Sequence, residues 1–113
     1  YYAMLFKDED FTERVISRYS ELRRGILSNE SLTATIDDTI RYLGDAVERN
    51  FDVWGDTFSD DELMTPAERN ITSFDEAKSQ LETYILERAD WMDRNIDTLR
   101  QYSHPSHTKT YDY

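Results

Sequence analysis

The 113-residue chain carries 13 Lys and Arg against 24 Asp and Glu, a formal net charge of −11, and it has no cysteine. That excludes disulfides and thiolate metal sites and argues against nucleic acid as a partner, because nothing offsets a phosphate backbone. No apolar run approaches the ~20 residues a membrane span needs. With 38% hydrophobic and 13% aromatic residues, it is too apolar for a disordered acidic tail, and its length suits one domain.

The chain opens Tyr1-Tyr2-Ala3-Met4-Leu5-Phe6. It lacks an initiator Met and the basic start of a signal peptide. The expectation is a segment of a longer protein, with these residues closing an upstream element. Only three Gly and two Pro interrupt the sequence, which favours long helices over many short strands.

The first helix is predicted from Asp8 to Arg24. Asp8 is the N-cap, with Glu9 and Asp10 facing the positive end of the dipole. Phe11, Val15, Tyr19, Leu22 and Ile26 form one stripe at helical spacing. Gly25 is expected to stop the helix in the left-handed region. The second helix runs from Asn29 to Trp54, with Ser28 as cap and the stripe Leu32, Ile36, Ile40, Leu43, Val47, Phe51, Trp54. Gly44 falls inside it and is read as a point of close approach by another helix. The third runs from Phe74 to Tyr102 and opens on a capping box, Ser73 with Glu76. Its stripe is Phe74, Ala77, Leu81, Ile85, Arg88, Met92, Ile96, Leu99. Arg88 is the one charge on it and is read as a structural cation whose stem packs. Trp54 and Trp91 are expected to pack between helices, each indole N–H reaching a polar partner.

Between the second and third helices, Gly55 to Thr72 is acidic (Asp56, Asp60, Asp61, Glu62 and Glu68 against Arg69), with one short turn expected near Pro66 to Arg69. The fold class is therefore all-α: three long helices in a bundle, with a long acidic loop between helices 2 and 3. Residues 1–102 form the helical segment and 103–113 a polar tail.

No catalytic, cofactor or metal site is complete. The acidic loop lacks the alternation and the Gly of a calcium-binding EF-hand. His104 and His107 offer two imidazoles where zinc needs about four ligands. No Ser sits in a nucleophile elbow, and three isolated glycines make no phosphate loop. Asn29-Glu30-Ser31 and Asn70-Ile71-Thr72 match the glycosylation sequon, a short pattern that arises often by chance.

Four groups of residues, in order, carry a resemblance. They are Leu5-Phe6-Lys7-Asp8-Glu9-Asp10-Phe11, then Arg18 to Ser28 with the pattern Tyr19-x-x-Leu22-Arg23-x-Gly25-x-Leu27-Ser28, then Ile36-Asp37 with Glu48 to Trp54, whose pattern is Arg49-Asn50-Phe51-x-x-Trp54, and Leu81 to Asp93 with Arg88-x-x-Trp91-Met92-Asp93. Over about residues 5–96 the chain resembles the C-terminal helical part of the spore coat protein H family, the CotH-type kinases. The resemblance implies a kinase-like parent whose ATP, magnesium and catalytic residues lie upstream. It also implies a spore-coat, secreted or cell-surface setting. Arg23, Gly25, Asn50, Trp54, Arg88 and Trp91 match pattern positions and are expected to organise the helical end of the lower lobe. The function expected is a non-catalytic fragment, a lobe scaffold and interaction surface. Its partner would be the upstream part of the parent, and its exposed apolar face would self-associate. Two other readings are an acidic binding module that recruits a basic partner through the loop, and a small metal-dependent hydrolase, for which no ligand set exists.

Overall fold

A computed structural model describes residues 2–59 and 71–104. The chain begins with α1 (Tyr2–Leu5), followed by α2 (Glu9–Arg24), α3 (Asn29–Leu43), α4 (Ala46–Trp54) and α5 (Phe74–Asn95). A 3-10 helix, Gly55–Ser59, follows α4, and another, Ile96–Tyr102, extends α5. Among the described residues the only strand-like pairing is one isolated parallel bridge between Asp8 and His104. The all-α expectation holds, with the second of the three long helices divided in two. Residues 60–70, which carry most of the acidic loop, and 105–113, which carry His107 and most of the polar tail, lie outside the described residues. No helix among the described residues is long and apolar enough to cross a membrane.

The chain divides into two units, and α5 contributes to both. The first comprises residues up to 28 and from 88 onward. Its organising helix, α2, starts where the sequence predicts: the Asp8 carboxylate accepts from the Phe11 N–H at 3.0 Å, a cap that contributes about 1 kcal/mol. Phe6 packs edge-on against Phe11, with ring centroids 5.4 Å apart, and fixes the entry of the chain. The most buried of the described residues is Thr12, at 0% exposure. Its hydroxyl lies 2.9 Å from the Asp8 carbonyl and 3.1 Å from that of Phe6, so the α1–α2 turn is fastened from inside the helix. Among the described residues, Ile16 of α2 and Ala89 of α5 are the buried apolar ones.

Two expectations for α2 are corrected. Gly25 does not stop the helix from the left-handed region; its φ is −123°. The stop is made instead by hydrogen bonds, since the N–H groups of Gly25 and Leu27 both donate to the Leu22 carbonyl, at 3.0 and 2.9 Å. The helix therefore ends before Ile26, which is exposed and drops off the stripe.

The second unit comprises residues 29–87. Here Gly44 does what Gly25 was expected to do. It has φ +49° and separates α3 from α4. A Cβ added there would meet only the Arg41 carbonyl oxygen, at 3.7 Å, so no neighbouring helix approaches closely. The requirement is for left-handed backbone, which glycine adopts without steric cost. Gly44→Ala is accordingly expected to lower stability by about 1 kcal/mol, and Gly44→Asn by less. Urea titrations followed by circular dichroism check this order. In the same unit Phe51 stacks against Phe58 and Phe74, at 4.8 and 5.5 Å between centroids. Lys78 of α5 pairs with Asp37 of α3 at 2.7 Å.

Helix α5 starts at the predicted capping residues with one change. Ser73 Oγ accepts from the Glu76 N–H at 3.1 Å. The Glu76 carboxylate reaches one residue further back than the capping box requires, to the N–H and hydroxyl of Thr72. These two donors hold its carboxyl below the usual carboxylate range.

Candidate functional site

A connected polar cluster lies in the first unit and joins α2 to the second half of α5. Helical spacing places Tyr19 and Arg23 one turn apart on α2, and Ala89 and Asp93 one turn apart on α5. The Asp93 carboxylate takes the Arg23 guanidinium in a fork: Nε lies 2.9 Å from Oδ1 and Nη2 2.8 Å from Oδ2. The Tyr19 hydroxyl lies 2.8 Å from Asp93 Oδ1 and 3.2 Å from the Ala89 carbonyl. A further guanidinium nitrogen, Nη1, donates to the Leu27 carbonyl, so one side chain ties α5 to the turn that ends α2. The Arg23 side chain is 15% exposed and that of Asp93 38%. A small cleft beside the cluster is lined by Tyr19, Ser20, Arg23, Arg24, Asp93 and Ile96.

The protonation states follow from this geometry. The Arg23 guanidinium, aided by the Tyr19 hydroxyl, holds the Asp93 carboxyl below its ordinary value against the opposing effect of burial. Burial, then the hydrogen bond to Asp93, pushes the Tyr19 phenol up to about 12. The hydrogen bond to Asp93 raises Arg23 further. Around neutral pH the cluster is thus a carboxylate held by a guanidinium and a neutral phenol. None of the three is poised to exchange a proton there, which suits holding a structure better than acid–base chemistry. A second fork, Arg100 Nε to Glu13 Oε1 at 2.6 Å and Nη2 to Oε2 at 3.1 Å, joins α2 to the terminal 3-10 helix. The His104 N–H then donates to the Lys7 carbonyl at 3.0 Å. This returns the end of the described chain to the start of α2.

The residues matched to the family pattern are distributed as follows. Arg23 belongs to the cluster, and Gly25 to the turn just beyond it. Arg88 stands on the stripe predicted for the third helix. It is exposed, with its guanidinium 4.4 Å from the centroid of the Trp91 ring. Trp91 and Trp54 are not sandwiched between helices; they are 47% and 62% exposed. Along α5, Ile85 and Met92 are half-buried and Ala89 is buried, while Arg88 and Trp91 are exposed. Asn50 lines a shallow cleft in the second unit. The other members of this clasp, Tyr19 and Asp93, stand in the quoted motifs, Tyr19 also on the first helical stripe, but neither is among the six positions expected to organise the lobe. The signal was the matched i, i+4 spacing on two helices, and only their meeting gives it meaning.

Among the described residues no three His, Asp or Glu side chains converge as a metal site would require. Asp56 is exposed beside Gly55, and Asp60, Asp61, Glu62 and Glu68 lie outside the described residues. The three glycines stand apart at positions 25, 44 and 55. No curated protein and no solved structure matches the chain. A sequence model described as CotH kinase protein matches residues 1–92, which takes in the first three of the four motif groups and the fourth through Met92. That is most of the chain, and it belongs to the CotH kinase protein family.

Proposed function

We propose that this chain is a non-catalytic helical scaffold of a CotH-type protein, and that its exposed side chains serve as the surface on which the upstream part of the parent packs. The observation that carries this reading is the clasp of Tyr19, Arg23 and Asp93. It joins two separated sequence motifs in a contact whose charges are satisfied internally and whose protonation is locked around neutral pH. A catalytic cluster needs a group left available for substrate; this one spends its donors and acceptors on backbone carbonyls and on itself. The exposed Arg88–Trp91 pair and the exposed Trp54 supply the large amphipathic side chains that docking surfaces favour.

Under this reading the ATP and magnesium implied for the parent bind upstream of these helices. Titrating magnesium–ATP into the 113-residue chain in a calorimeter is expected to give no saturable heat. Saturable binding with about one site per chain would overturn the reading.

A further inference from the structure

The charge of the molecule is not shared between its two units. Residues 29–87 hold fifteen Asp and Glu against four Lys and Arg, whereas the rest of the chain holds nine of each. The whole net charge of −11 therefore belongs to the second unit. Two of its four cations are already engaged, Arg41 with Asp38 and Lys78 with Asp37, each at 2.7 Å. The same unit carries an apolar cleft of about 280 Å³, lined by Leu43, Ala46, Val47, Phe51 and Phe74, with Asn50 as its polar member. Exposed Tyr42 (90%) adjoins Leu43 in sequence, and exposed Val53 and Trp54 follow Phe51 on α4. Gly44, with its left-handed backbone, lies between Leu43 and Ala46 of this lining.

We propose that this cleft docks a cationic amphipathic segment, an apolar side chain seated among Leu43, Val47, Phe51 and Phe74 and its Lys or Arg residues facing the acidic unit. The cleft has room for a bulky apolar anchor. The exposed Asn50 amide offers both a donor and an acceptor to the backbone beside that anchor. Charge selects the occupant. A second copy of this chain would bring one unit of charge −11 against another, and like charges brought together cost several kcal/mol. A cationic segment is drawn in by the same field. The site is the cleft itself, not the acidic loop, and the inference does not rest on the chain being non-catalytic.

The test is a titration of the full 113-residue chain, isotopically labelled for NMR, with a synthetic amphipathic helix of Lys and Leu. Amide resonances of Leu43, Ala46, Val47, Asn50, Phe51 and Phe74 are expected to shift saturably. Affinity should fall at least about tenfold when salt is raised from about 0.05 to 0.3 M, because exposed charges are screened. An all-Lys peptide of equal charge should bind at least about tenfold more weakly, as should the Leu43→Ser chain. Equal binding of the all-Lys peptide would overturn the proposal even if Leu43→Ser fails to fold. So would shifts that avoid the cleft. Cleft resonances that move with protein concentration alone would show that a second copy is the occupant.

Discussion

Replacing Asp93 by Asn is expected to lower the unfolding free energy at pH 7 by about 2 kcal/mol, measured by urea titration. The figure is the scale of a hydrogen bond to a charged group, kept low because the Asp93 side chain is 38% exposed and water can replace part of what is lost. Arg23→Ala should cost a similar amount. The double variant should cost little more than either alone, because both substitutions remove the same fork. Tyr19→Phe removes one donor and should cost about 1 kcal/mol.

The pH dependence has a definite sign. Asp93 is held below its ordinary value when folded, so its contribution is complete above the unfolded carboxylate pKa of about 4. It is lost as pH falls through the lower folded value. Tyr19 is raised to about 12 when folded. Its contribution is complete below the unfolded phenol pKa of about 10 and is lost as pH rises toward 12. Acid also relieves repulsion among the 24 carboxylates, which acts in the opposite direction. The informative quantity is therefore the difference between the parent chain and Asp93→Asn. That difference should shrink below pH 4. A difference that stays constant down to pH 2 would remove the carboxylate from the account.

Ile16→Ala is expected to cost about 3 kcal/mol, the range for emptying a buried aliphatic site, whereas Ile26→Ala should lie within about 0.5 kcal/mol of the parent. Chemically the two substitutions are identical. Ile16 is 6% exposed in α2, while Ile26 lies beyond the helix end and is 70% exposed. The contrast separates the observed packing from the stripe written in the sequence, which contains Ile26 and omits Ile16. Similar losses from both would show that α2 continues past Arg24 with a different face turned inward. Thermal melts followed at 222 nm provide the measurement.

Local chemistry determined much of this protein by itself. Asp8, Ser73 and the scarcity of Gly and Pro set where helices start and that the chain is helical, because capping and propensity act within one turn. The family was legible in four short motifs for a related reason: their order and spacing are properties of the chain alone. What the sequence could not decide was anything requiring two distant segments to meet. Both Gly25 and Gly44 are compatible with a helix stop. Only the folded chain put the left-handed backbone at Gly44 and closed α2 with carbonyl contacts and the Arg23 side chain. Arg88 stands on the stripe of ideal period, yet in the folded chain Ala89 is buried and Arg88 is exposed. Arg23 was marked by its motif, yet its partner Asp93 lies 70 residues away. No periodicity within one helix reports which face of another will oppose it. That choice belongs to the packing of side chains between helices, and here it made the clasp.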